Sequence, residues 1–139
     1  MKGVNKMNCV VSETYRGMGA EVIAQTEELR HLQTDDCRIE FMASDQKKTS
    51  KGNAILGECF KVQELYKAFC PYDFLVVIYE PNVTELSEAQ MKVLMEHELL
   101  HVGMEQKDDG TVKYFVKPHD CDDFLQIIQK YGNDWAKLG

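Results

Sequence analysis

The chain has 139 residues, 44% hydrophobic and 28% charged, with a net charge of −7 and a pI near 5.1. That length is one domain (1–139) on the usual scale, enough to bury a core without staples, and the acidic balance argues against a nucleic-acid partner, whose phosphates call for Lys and Arg. No apolar run is long enough to span a bilayer, and the five cysteines (Cys9, Cys37, Cys59, Cys70, Cys121) are odd in number without a C-x-x-C pair, so the expectation is a cytoplasmic protein with free thiols and no membrane partner.

The opening Met1–Lys6 leads into no signal-like apolar stretch. From Ser12 to about Leu32 the composition is helical, with Ala20, Val22, Ile23, Leu29 and Leu32 near helical spacing, and Gly17 and Gly19 weakening the first half. Asp35-Asp36 breaks the pattern, and Cys37 to Met42 alternates with period two, as a half-buried strand does. Lys47, Lys48 and Lys51 lie in a Ser/Thr/Gly setting that reads as a solvated loop. Ala54 to Phe60 is a second strand in which Gly57 marks a bulge or a close backbone approach. A short helical turn over Leu65–Phe69 ends before Pro71. Phe74 to Tyr79 is six consecutive apolar residues, the mark of a central strand covered on both faces.

The next helix begins with a full set of start signals: Ser87 as N-cap, Gln90 as its capping-box partner, and Leu86 with Met91 as a hydrophobic staple. It is expected to run to about Val102, with Gly103 as the left-handed residue that ends it. Lys107-Asp108-Asp109-Gly110 then reads as a hairpin turn, with Val112, Tyr114 and Val116 alternating along the return strand. Pro118 stops that strand. Asp120 opens a final amphipathic helix through Phe124, Leu125, Ile127 and Ile128 to Tyr131-Gly132.

The well-capped helix carries His97-Glu98-Leu99-Leu100-His101. Residues four apart on an α-helix differ by about 40° in azimuth and about 6 Å along the axis. Two imidazoles so placed can share one zinc ion, while Glu98 reaches a water beside it as general base for hydrolysis. Shuffling a chain with four His and thirteen Glu yields this pattern about one time in a hundred, so the motif is specific without being decisive. Its flanks, Val93, Leu94, Leu99, Leu100 and Val102, set it at the edge of the core rather than on a solvated face.

A catalytic zinc takes three protein ligands and keeps a fourth position for water. Of the two remaining histidines, His31 sits where it offsets the dipole at a helix end. His119 is the better third ligand, because the hairpin turns the chain back beside the motif and Pro118 fixes the backbone before it. A carboxylate among Asp120, Asp122 and Asp123, or the Cys121 thiol, competes for the same role. Asp120 reads first as a helix N-cap and second as a residue that orients a ligand histidine. Tyr114, Tyr131 and Lys117 are candidates for a second donor to the oxyanion.

This pattern resembles the metallopeptidase family common in bacteriophages and prophages. The likeness rests on a strand ending near Tyr79, the helix bearing Glu96 through His101, then Pro118-His119-Asp120, Asp123-Phe124 and Tyr131-Gly132, and it covers about residues 37–132. The resemblance implies a minimal zincin-like fold with zinc on His97, His101 and His119, and Glu98 as base. The chain departs from metzincins, whose third histidine follows the motif much sooner. The fold class expected is α+β: a mixed sheet with the motif helix packed on it and the last helix closing the site. The activity expected is zinc-dependent hydrolysis of a peptide or protein substrate. A zinc-binding interaction module without protease activity and a non-peptide amidase are the alternatives, and oligomeric state is not legible.

Overall fold

In the computed structural model, residues 8–33, 37–118 and 131 are described. The apolar run Phe74–Tyr79 forms a strand whose side chains are buried at every position except the half-buried Leu75. Such a strand needs cover on both faces and a partner on each side. It finds a parallel partner in Ile39–Ser44 and an antiparallel one in Gly57–Lys61, with Cys9–Val11 beyond the first. Numbering the strands along the chain as β1 (Cys9–Val11), β2 (Ile39–Ser44), β3 (Thr49–Ser50), β4 (Asn53–Ala54), β5 (Gly57–Lys61) and β6 (Phe74–Tyr79), the mixed sheet runs β1-β2-β6-β5. With helices packed on this sheet, the fold is α+β.

Alternation of side chains puts Phe74, Val76 and Ile78 on one face together with Phe41 of β2, and all four are buried in the main core. Helices α1 (Glu13–Gln25) and α2 (Glu88–Leu99) supply the rest of that core. Helix α1 is capped by Ser12, whose Oγ accepts the Tyr15 N–H at 3.1 Å. It is shorter than its composition predicts. Thr26 takes an extended conformation, and Glu27–Leu32 continues as a 3₁₀ turn. In a 3₁₀ turn residues i and i+3 eclipse, so Leu29 and Leu32 point the same way and both enter the core.

Helix α2 starts as its sequence dictates: Ser87 Oγ accepts the Gln90 N–H at 3.1 Å, and Gln90 Oε1 accepts the Ser87 N–H at 2.8 Å. Met91, Leu94, Met95 and Leu99 form its buried stripe. Its end differs from expectation. The helix stops at Leu99 with Leu100 as C-cap, and Val102 already begins strand β7 (Val102–Gln106), which pairs with β8 (Val112–Val116). Gly103 does not end the helix in a left-handed conformation. It lies opposite Phe115, and a Cβ there would sit 2.4 Å from that ring. Glycine is needed at 103 for close approach, not for backbone angle. The hairpin turn falls on Lys107–Gly110, where Gly110 has φ +88° and Asp109 accepts both the backbone N–H and the hydroxyl of Thr111.

The lysine loop contains a further small hairpin, β3 with β4, turned at Lys51 and Gly52 with positive φ at both. The expected final helix lies outside the described residues, apart from Tyr131, which has helical backbone. Among the described residues no helix is long and apolar enough to cross a membrane.

The two glycines of α1 should respond oppositely to alanine. A Cβ at Gly17 meets nothing within 4 Å, whereas one at Gly19 would come within 2.3 Å of the buried Phe41 ring. Gly17→Ala should raise stability to urea by up to about 1 kcal/mol through helix propensity. Gly19→Ala should lower it by about 1–3 kcal/mol through overpacking, despite the same propensity gain.

Candidate metal centre

Successive helical residues turn by about 100°, so the three residues Glu96, His97 and Glu98 fan out to different sides of α2. His97 occupies the last turn, with its side chain 14% exposed. His101 lies just past the helix end, its backbone N–H donating to the Glu98 carbonyl at 3.1 Å. The two imidazole rings stand edge to face with centroids 5.3 Å apart.

His101 is gripped by the far strand of the hairpin. Lys117 N–H donates to the His101 carbonyl, and His101 Nδ1 lies 2.7 Å from the Lys117 carbonyl oxygen. This continues the β7–β8 register, in which Val102 pairs with Val116, by one further step. A carbonyl oxygen can only accept, so Nδ1 carries a proton, and in the neutral ring the lone pair is then on Nε2. That is the tautomer in which a histidine ligates through Nε2.

Glu98 is 4% exposed, with Oε2 4.0 Å from His97 Nε2. Its stem lies over β5. A Cβ built on Gly57 would fall 3.4 Å from Glu98 Cγ and 3.0 Å from the Val77 carbonyl oxygen. The close approach expected at Gly57 is made by the Val77 carbonyl of the neighbouring strand, with Glu98 at ordinary contact distance. Cys59, two residues on and on the same face, is a protonated thiol pushed up by burial first, then by the charge of Glu98. Strand β5 is the sheet's edge. Leu56 accepts the Tyr79 N–H and Val62 donates to Asp73, so even-numbered residues bond to β6. The backbone groups of Gly57, Cys59 and Lys61 point outward, and among the described residues no other strand pairs with them.

The remaining candidates fall at three places. Tyr131 donates its hydroxyl to Glu96 Oε1 at 3.0 Å. Tyr114 packs edge-on against Phe74, with Lys67 Nζ 4.7 Å from its ring centre. The Lys117 side chain is exposed, and only its backbone engages His101. His31 is exposed on the 3₁₀ turn. His119, Asp120, Cys121, Asp122 and Asp123 lie outside the described residues. Among the described residues no three His, Cys, Asp or Glu side chains gather as a metal-binding group.

Sequence reasoning missed three features of this region. The sequence reading gives Glu96 no role of its own, yet it is 3% exposed. The Lys117 carbonyl and the position of Gly57 against Glu98 depend on tertiary pairing, which leaves no local pattern.

A family model described as "Putative phage metallopeptidase" matches residues 7–139. The chain belongs to that family. Membership implies a metal and a peptide or protein substrate, and it extends the likeness from the motif region to nearly the whole chain. No curated protein and no solved structure matches this family member.

The thiols report on the packing around Glu98. Burial, then the charge of Asp73, pushes the Cys37 thiol up to about 12, and Cys59 moves in the same direction, whereas Cys9 is exposed. At pH 8, iodoacetamide should label Cys37 and Cys59 at least about tenfold more slowly than Cys9, with the difference lost in urea. Labelling of Cys59 as fast as Cys9 in the folded protein would contradict the packing of β5 beneath Glu98.

Proposed function

We propose that this chain is a zinc-dependent peptide-bond hydrolase, with zinc held by His97, His101 and His119 and with Glu98 as general base. The observation that carries the reading is the histidine pair. A ligating nitrogen lies about 2.0–2.1 Å from zinc, and two imidazoles at a tetrahedral angle then have ring centres about 5.2 Å apart. The rings here are separated by 5.3 Å, and His101 is held as the tautomer that offers Nε2. The donor set, neutral imidazoles beside a buried carboxylate, also suits zinc better than the hard cations that prefer oxygen.

Support for His119 comes from the two described flanks of its segment. Upstream, Lys117 is bonded to His101; downstream, Tyr131 is bonded to Glu96. Lys117 and Tyr131 are thus both bonded to the motif, one on either side of His97. The zincin-like character of the fold is part of the same reading.

When bound, zinc supplies a Lewis acid that polarises the scissile carbonyl and makes water acidic enough to deprotonate near neutral pH. Glu98 takes the proton from the attacking water and returns it to the leaving amine nitrogen. Its burial against β5 holds the carboxylate in place and excludes bulk water from its stem. A peptide substrate can add to the outward-facing edge of β5, where main-chain groups of Gly57, Cys59 and Lys61 can pair with it beside Glu98.

Elemental analysis should find about one zinc per wild-type chain, with sharp loss in His97→Ala and His119→Ala. Glu98→Gln should keep the metal and lose about 10²–10⁴-fold in turnover of a cleaved peptide, found by screening a peptide library. Undiminished hydrolysis by Glu98→Gln would contradict the mechanism. Metal binding without hydrolysis of any peptide by the wild type would favour a binding module.

A further inference from the structure

Strand β5 forms one edge of the sheet, and its side chains alternate between two faces. Gly57 and Cys59 face the motif helix, whereas Glu58 and Phe60 face the other way. An open strand edge invites pairing with any extended chain, and proteins blunt such edges with short strands, proline or exposed charge. Here the strand's one carboxylate is already occupied. Glu58 Oε1 accepts from the Lys48 ammonium and, at 2.6 Å, from the Tyr79 hydroxyl. Phe60, two residues on, is left 39% exposed.

Lys48 organises this far face. Its ammonium lies 5.4 Å from the Tyr79 ring centre and 6.0 Å from that of Phe60, within reach of cation–π attraction. The loop carrying it is pinned by Asn82, whose Nδ2 donates to the Lys48 and Ile55 carbonyls at 2.8 and 2.7 Å. Glu58 and Lys48 neutralise one another, so what β5 offers on this face is chiefly the Phe60 ring. The turn that follows β5 exposes three more large apolar side chains, Leu65, Tyr66 and Phe69.

Phe60 bonds through its backbone to β6, so a peptide pairing antiparallel with the outward groups of β5 meets it as a non-hydrogen-bonded pair. Side chains stand closest in such pairs. Gly57, where Glu98 lies, is three residues and about 10 Å away along the strand. We propose that Phe60 is a specificity-determining residue: it contacts one substrate side chain within about three positions of the cut bond and selects a large apolar one there. This rests on the hydrolase reading with the peptide on β5. It names the substrate class as extended peptides carrying such a residue.

The test is cleavage of a capped random peptide library by the full zinc-loaded chain, with cut sites read by mass spectrometry. The best substrate is then remade with alanine or glutamate at the selected position. Wild type should prefer the apolar peptide by about tenfold in kcat/KM, mainly through KM. Phe60→Ala should cut this preference to about twofold or less, with zinc content unchanged. Val11→Ala trims an exposed apolar side chain on the opposite edge strand and should leave the preference intact. Capture of the same library on immobilised Glu98→Gln should enrich peptides with large apolar residues, and adding Phe60→Ala should abolish the enrichment.

Cut sites with no apolar preference nearby would overturn the proposal, as would a preference that survives in Phe60→Ala. So would an equal loss on all three peptides, since that is what a merely structural role produces. A wild-type dimer that Phe60→Ala dissociates, with selectivity unmoved, would also overturn it, because a second copy of the chain would then cover the edge. Absence of cleavage by wild type would refute the hydrolase reading. Phe60-dependent capture of apolar peptides would in that case still uphold the subsite, and capture indifferent to Phe60 would refute it.

Discussion

The hydrogen bond from His101 Nδ1 to the Lys117 carbonyl is the contact on which the arrangement of the site depends. Helix α2 ends two residues before His101, so helical hydrogen bonding does not orient that ring. The hairpin does so instead, by extending its ladder one step past Val102 and Val116. The same contact fixes the imidazole tautomer and delivers the chain to Pro118 beside the motif. Had α2 continued through Val102, His101 would still follow His97 by one turn, but the strand that holds its far nitrogen would be displaced.

Around this point the fold is built on close approaches that only glycine permits. Gly19 lets α1 settle on Phe41, and Gly57 leaves room beside the Val77 carbonyl, which a Cβ would meet at 3.0 Å. Gly103 lets the hairpin close on Phe115. Gly19 thereby joins α1 to the sheet, while Gly57 acts within the sheet and Gly103 within the hairpin. The cost of burying two carboxylates at 96 and 98 falls on this framework, and a well-packed scaffold tolerates such groups where function demands them.

Much of this was legible in the residues. The unbroken apolarity of Phe74–Tyr79 identified the central strand, because only a strand covered on both faces can afford no polar alternation. Ser87 and Gln90 located the start of α2 to the residue, since a capping box has one geometry. The end of α2 was not legible: Gly103 serves equally as a helix terminator or as a site of ring contact, and tertiary pairing with Phe115 decided for the latter. Strand β1 and the β3–β4 hairpin escaped because they are short and largely exposed, so they carry no hydrophobic period. The pair His97 and His101 was readable from spacing alone, while the burial of Glu96 depends on α1 packing beside it and on Tyr131.

The central claim is that the metal is zinc in an all-histidine protein shell. X-ray absorption at the zinc edge of the wild-type chain tests it most directly, because imidazole rings give a distinctive outer-shell scattering and sulfur lies farther out than nitrogen. The account predicts three imidazoles with nitrogen at about 2.0–2.1 Å, and one further light-atom ligand. A sulfur shell at about 2.3 Å, or only two imidazoles, would contradict it by moving the third ligand from His119 to Cys121 or to a carboxylate.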